Sequence, residues 1–279
     1  MLDIQFYCPR WGAEHLPWND FLSNIQTAGF DGVEVYPLPY PKEKPEMLDL
    51  LAAKGLEFSL LHAEMVEGKD VKRYLYALER NLYQLANYQL GELRPQFITS
   101  QTGREYYGME EMAKCFELCD RISKEIGIPI IQETHRNKWS YAAHIVAAYL
   151  KKFPSLQLAL DISHWFCVSE GYLEDQQEAL KLAVEHTVHL HARVGHMEGP
   201  QVTDPRAEEN REALDHHLKC WDSWIDLLRS KGISKCTVTP EFGPYPYMSY
   251  HTNSNRPIAS QWELNCWMKD FLRTRYQLT

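Results

Sequence analysis

The chain has 279 residues, 44% of them hydrophobic and 24% charged, enough to bury a full core and balanced like an ordinary soluble globule. Its net charge of −9 offers no general attraction to nucleic acid or to an anionic membrane, and it has no run of about 20 apolar residues that would span one. The opening MLDIQFYCPRWG lacks the basic and apolar regions of a signal peptide, and seven scattered cysteines suit reduced thiols, so a cytoplasmic location is expected.

In chain order, strand and helix patterns alternate eight times without a linker or low-complexity break. The first strand is Asp3–Cys8, and its helix runs from about Trp18 to Ala28 before Gly29, a helix-stopping residue. Strand Gly32–Tyr36 precedes helix Pro45–Lys54, which Gly55 stops, and strand Glu57–His62 precedes a long amphipathic helix from Asp70 to about Tyr88. Strand Gln96–Ser100 leads to helix Met109–Ile126 and Gly127, and strand Pro129–Glu133 leads to helix Ser140–Lys152. Then come strand Gln157–Asp161 with helix Leu173–His186, and strand Thr187–His191 with helix Asn210–Lys231 before Gly232. The last pair is strand Cys236–Glu241 and a helix from about Ser260 to Tyr276. Strict alternation implies a parallel sheet, and right-handed crossovers can close eight such units into one (β/α)₈ barrel over residues 1–279, of α/β class. An open doubly wound sheet is the alternative, but its glycine-rich first turn is missing from CPRWGA. Cys115 and Cys119, four apart on a helix, are read as buried packing and not as a metal pair.

Four residues with metal-ligand chemistry end four consecutive apolar runs: Glu133 in PIIQETH, Asp161 in LQLALDISH, His191 in TVHLHAR and Glu241 in CTVTPEFG. In a parallel barrel the C-terminal strand ends share one mouth, where catalytic groups gather. Strand side chains alternate faces. Leu156, Leu158, Leu160 and Ile162 therefore oppose Gln157, Ala159 and Asp161, while Val188 and Leu190 oppose His189, His191 and Arg193. In the last strand Val238 opposes Thr237, Thr239 and Glu241, so every candidate in these three runs falls on the polar, inward face. Two Glu, one Asp and one His suit a divalent ion: Mn²⁺, Mg²⁺, Co²⁺ or Zn²⁺.

Three long βα loops, 9–17, 194–209 and 242–259, lie on the same side and carry Trp11, Tyr245, Tyr247 and Tyr250. Such rings can stack on a sugar, although for any one of them packing on the barrel rim is the simpler reading. His62 and Glu64 share one face of the third strand, as substrate contacts or as a hydrogen-bonded polar layer. Arg193 could bind a substrate hydroxyl or phosphate, or neutralise nearby carboxylates. His189 sits one layer deeper than His191 and reads as core or as support for a ligand; Glu14, His196 and Arg206 read as solvated loop residues.

The strand ends resemble the xylose isomerase-like TIM barrels, sugar isomerases and epimerases whose family also contains endonuclease IV-type enzymes. The resemblance runs the length of the chain: LLHAE late in the third strand, QETH ending the fifth, DISH after the sixth, HLHAR ending the seventh and PEFG ending the eighth. It implies one divalent ion held by Glu133, Asp161, His191 and Glu241, with His164 touching the substrate and helping to hold the site. Endonuclease IV-type members hold three zincs and need further ligands at the fourth strand and after the seventh. Here those places read SQTG and TDPR, so a three-metal cluster is not supported. Sugar-acting relatives often follow the strand-seven His with an acidic or lysine-containing pair, whereas this chain has Ala192–Arg193, which leaves the substrate open.

With such an ion as Lewis acid and template, the C–H between a carbonyl and a neighbouring hydroxyl becomes acidic. Glu133 and Glu241 are the natural pair to remove and return its proton through a metal-stabilised enediolate. Return to the same carbon from the opposite face gives epimerisation, return to the neighbouring carbon gives aldose–ketose isomerisation, and loss of a β-hydroxyl gives dehydration, as in the inosose dehydratase branch. The expectation is a metal-dependent isomerase or epimerase of a sugar or related polyhydroxy-carbonyl compound, with the dehydratase as alternative. A phosphodiesterase is disfavoured by the acidic charge, and a non-catalytic metal-binding barrel would use the same ligands. The expected partner is a small-molecule carbohydrate, without nucleic acid or membrane; a homo-oligomer stays open.

Overall fold

The computed structural model describes residues 2–63 and 70–277. Among them eight strands, β1 (Asp3–Pro9), β2 (Gly32–Val35), β3 (Glu57–His62), β4 (Ile98–Ser100), β5 (Ile130–Glu133), β6 (Leu158–Leu160), β7 (Thr187–His191) and β8 (Lys235–Thr239), pair in parallel in chain order. β8 returns to β1, with Asp3 opposite Lys235 and Phe6 opposite Val238, so the sheet closes. The molecule is a (β/α)₈ barrel; an open doubly wound sheet would leave these two edges apart.

The helices are α1 (Trp18–Thr27), α2 (Lys44–Lys54), α3 (Val71–Ala86), α4 (Met109–Ile126), α5 (Ala143–Lys152), α6 (Ser163–Ser169), α7 (Gln177–His186), α8 (Arg211–Ser230) and α9 (Gln261–Gln277). Local chemistry sets their ends. The Asp70 carboxylate accepts the backbone N–H groups of Lys72 and Arg73 at 2.9 and 3.3 Å and starts α3. Gly55 and Gly127 end α2 and α4 with φ of 63° and 64°, a left-handed turn that side chains resist. α4 buries Met112, Cys115, Phe116, Cys119 and Ile122 on one face, so the cysteine pair is packing, and all seven cysteines are free thiols. No helix among the described residues is long and apolar enough to cross a membrane.

Alternation along the strands sorts two layers. Ile4, Phe6, Leu158, Leu160, Leu190 and Val238 join the core beneath the helices, whereas Tyr7, Phe97, Ile131 and Ala159 form a separate plug inside the barrel. Two residues further along β5 and β6, the inward positions become Glu133 and Asp161. The short helix α6 has no counterpart in the sequence reading, because seven residues are too few for helical periodicity to register. It starts directly after β6 and places His164, Trp165 and Phe166 in the interior.

Candidate metal centre

Glu133 ends β5, Asp161 follows β6, His191 ends β7 and Glu241 lies two residues past β8. Barrel closure brings them together: one ligand-type atom of each lies within 4.8 Å of the other three. All four are buried, Glu241 at 5% exposed and the others at 0%.

Neighbours fix each one. Asp161 Oδ1 accepts the Ser163 backbone N–H at 2.9 Å and its hydroxyl at 2.6 Å, while Oδ2 pairs with Arg193 Nη2. The Asp161 backbone is clamped to β5, its N–H donating to Thr134 Oγ1 at 2.7 Å and its C=O accepting that hydroxyl at 2.8 Å. Gln101 Nε2 donates to both oxygens of Glu133, at 3.2 and 3.1 Å. His191 directs Nε2 at Glu34 Oε1, 3.1 Å away, and Nδ1 toward Glu241 Oε2 at 3.1 Å and Glu133 Oε1 at 3.8 Å. A carboxylate behind an imidazole fixes the ring's orientation and leaves the other nitrogen for a metal. Glu34 escaped the sequence reading, although GVEVY held the signal: a lone acid at an inward position between Val33 and Val35.

The charges divide according to distance from the cations. Burial alone would lower the His191 pKa, but Glu241 and Glu34 outweigh it and hold the ring well above its ordinary value. Burial likewise opposes ionisation of Glu34 and Glu241, yet His191 with His189 keeps Glu34 low, and His191 with Arg193 keeps Glu241 low. Glu133, farther from His191, is pushed up to about 8 by burial, with Glu241 and Asp161 adding to the shift. Asp161 is raised by burial despite Arg193.

His191 Nδ1 and Glu241 Oε2 are buried without a hydrogen bond, because their 3.1 Å contact lacks the alignment of one. An unsatisfied buried polar group costs about 1–3 kcal/mol. A divalent ion would relieve both atoms and balance the excess of carboxylates, and three carboxylates with one imidazole are donors such ions accept. The residues fit the group. Two other donor sets, Glu34–His189–His191 and Glu133–His135–His164, overlap this one at its edges.

His164, on α6, lies at the rim of the cluster with Nε2 3.6 Å from Asp161 Oδ2 and 2.9 Å from Arg193 Nη2. Burial, then His135, Arg193 and Arg136, hold its pKa well below the ordinary value. Arg193 also comes within 3.6 Å of Glu241 Oε2, and its guanidinium lies 4.6 Å from the centre of the Tyr247 ring. Trp11 packs edge-on against Tyr247 at 5.3 Å, and a Cβ at Gly243 would come within 2.1 Å of its indole. His189 lies deeper, with Nδ1 2.7 Å from Thr237 Oγ1. His62 shares the parity of Phe58 and Leu60, facing the helices, and its Nδ1 lies 3.1 Å from Ser100 Oγ, so it stands outside the four-residue set. Burial, then Lys138, depresses the His62 pKa to about 3. Glu64 lies outside the described residues. Arg136, Gln101 and Tyr247 complete the surroundings; the first two were not singled out from sequence, although the basic run after QET in the β5 loop held a cue to Arg136.

Residues 22–269 match the model of the xylose isomerase-like TIM barrel family, and the chain belongs to that family. No curated protein sequence matches it. Among solved structures it is similar to D-psicose 3-epimerase with D-tagatose from Clostridium cellulolyticum H10, with 16% identity over 98% of this chain and 99% of that one and a TM-score of 0.61. The probable 3-DHS dehydratase AsbF from Bacillus anthracis shares 17% identity over 98% and 99%, also at 0.61. A xylose isomerase-like TIM barrel protein from Mycobacterium smegmatis, in complex with magnesium, shares 12% over 86% and 91% at 0.53. At these identities the likeness is one of fold.

Proposed function

We propose that the protein is a divalent-metal-dependent isomerase or epimerase of a sugar or related polyhydroxy-carbonyl compound, with Glu133, Asp161, His191 and Glu241 as metal ligands. One observation carries the reading: three buried carboxylates and an imidazole converge at the barrel mouth, with a ring nitrogen and a carboxylate oxygen left unbonded. Family membership supports it, as do a fold neighbour that acts on psicose and another that holds magnesium.

The ion would supply Lewis acidity, easing negative charge on a substrate carbonyl oxygen. Glu133 and Glu241 would remove and return the proton at the adjacent carbon, each acting from its own side. Gln101 keeps Glu133 in place through both oxygens, and Glu34 keeps His191 turned. His164 and Arg193 would meet substrate hydroxyls, while Trp11 and Tyr247 shield the mouth from water. Glu64 is a further candidate for substrate contact, whereas the outward parity of His62 sets it apart from that role.

The test is incubation of manganese-supplemented protein in D₂O with a panel of aldoses and ketoses, read by NMR. Deuterium should enter the carbon beside the carbonyl as a new epimer or aldose–ketose partner appears. A product lighter by one water would assign the dehydratase instead. If protein from metal-supplemented medium carried no ion by elemental analysis, the reading would fall.

A further inference from the structure

We infer that the substrate of this centre carries a carboxylate, bound by the free edge of Arg136 at the rim of the site. The inference rests on the isomerase or epimerase reading of the same centre and narrows its substrate class.

Two guanidiniums flank His164, and only one has its Nε–Nη2 fork occupied. Arg193 has Nη2 on Asp161 and 3.6 Å from Glu241, with Nε 3.4 Å from Ser163 Oγ. Arg136 uses Nη1 alone, 2.9 Å from Tyr247 Oη and 2.9 Å from His164 Nδ1. Among the described residues no carboxylate pairs with it, and its Nε–Nη2 edge makes no hydrogen bond. That edge is the fork whose two N–H groups match the two oxygens of a carboxylate.

The neighbours cannot complete the pairing. A neutral imidazole has one acceptor nitrogen, yet both nitrogens of His164 face guanidinium N–H donors, so at most one of those contacts is a true hydrogen bond. Tyr247 accepts from Arg136 and keeps its own hydroxyl proton to donate. The acids beside His164 and Arg193 belong to the ligand cluster, Asp161 paired with Arg193 and Glu241 3.1 Å from His191. Arg136 is nonetheless held in place, half-buried with its guanidinium 5.1 Å from the centre of the Tyr247 ring. A cation held in place with its fork unpaired is a ready partner for a ligand anion.

The position says which molecule brings the anion. His164 spans the gap, with Nδ1 2.9 Å from Arg136 Nη1 and Nε2 3.6 Å from Asp161 Oδ2, so the guanidinium lies about one imidazole away from the ligand cluster. A carboxylate there belongs to the same small molecule, a few bonds from its reacting carbonyl, as in a uronic acid. A phosphate ester, with more oxygens and more charge, is best met by two free forks, and the Nε–Nη2 fork of Arg193 is occupied by Ser163 and Asp161.

Calorimetric titration of the manganese-loaded protein tests this with matched pairs: D-glucuronate against D-glucose, D-galacturonate against D-galactose, and D-glucose 6-phosphate as the phosphate arm. At least one uronate should bind about tenfold or more tighter than its parent sugar, the worth of one charge-assisted hydrogen bond. Arg136→Gln should erase that preference while the variant still takes up manganese, which shows that it is folded. Arg136→Lys, keeping charge without the fork, should restore only part of it. Uronates that bind no better than the parent sugars overturn the inference and leave the reading of the centre standing. Tighter binding of glucose 6-phosphate overturns the choice of carboxylate. Failure of the parent protein to take up manganese overturns both.

Discussion

At the residue scale, the arrangement hinges on which way His191 faces. With Nε2 at Glu34, its Nδ1 is the nitrogen left for the space shared with Glu133 and Glu241. Glu34→Gln keeps the shape of that partner but removes its charge, so the imidazole loses both its anchor and part of its basicity. Partners one step behind a ligand typically matter about 10–100-fold in metal affinity. Manganese titration of Glu34→Gln should show a loss of that order, and Asp161→Asn, which removes a proposed ligand charge, should lose more. An unchanged affinity in Glu34→Gln would remove the orienting role. The two glutamates face a stricter demand, because an amide oxygen can still coordinate but cannot accept a proton. Glu133→Gln and Glu241→Gln should each lose about 10²–10⁴-fold in turnover while retaining some bound metal. Parent-like turnover in both would mean that proton transfer runs through other groups.

At the scale of elements, the barrel was legible because each unit obeys its own local rules: period-two runs, helices stopped at Gly55 and Gly127, and the Asp70 cap. Asp161 and Glu241 were legible for a related reason, since strand alternation continues past the last ladder bond and still assigns their inward face. The same alternation, applied to GVEVY, would have found Glu34, and applied to EFSLLH it sets His62 with Phe58 and Leu60. What sequence spacing does not carry is contact set by strand register or across the closed mouth, such as Gln101 against Glu133 between β4 and β5 or Tyr247 against Arg136. Helix α6 was hidden by its length, although its start fixes Asp161 through Ser163. The clamp between β5 and Asp161 gives a test at this level. Thr134→Val is nearly isosteric but leaves the buried Asp161 N–H and C=O without the hydroxyl. One such group stranded costs about 1–3 kcal/mol, so urea unfolding should show a loss of at least that size, with weaker manganese binding as Asp161 shifts. Full stability with unchanged metal affinity would show that the strand ends are held by other bonds.

At the scale of the whole molecule, several histidines are buried neutral, and together they make the fold sensitive to acid. His217 is the cleanest case because it lies away from the metal-ligand cluster. On α8 its Nδ1–H donates to Ala213 C=O at 2.8 Å, and its Nε2 accepts the Gly195 backbone N–H at 3.3 Å, joining the helix to the loop after β7. Those bonds assign the neutral tautomer, and burial lowers the pKa to about 3 from an ordinary value of 6.5. Above pH 6.5 the ring is neutral whether the chain is folded or not, and it contributes no pH dependence. Below that, the unfolded chain takes up a proton that the folded one refuses until about pH 3, so stability falls with pH throughout that window. The slope for one such group approaches ~1.4 kcal/mol per pH unit, or about 2 kcal/mol between pH 6.5 and 5.0. His62 and His189, also lowered by burial, carry the same sign, whereas Glu133 and His191, held above their ordinary values, carry the opposite one. Urea unfolding of chelator-treated parent and variant at pH 7.5 and 5.0 isolates the His217 share as the difference between the two. His217→Gln, less stable at both values because a packed ring is lost, should lose about 2 kcal/mol less between them. Parallel losses in parent and variant would mean that His217 does not stay neutral in the fold, and that the two bonds joining α8 to the β7 loop are not what hold it so.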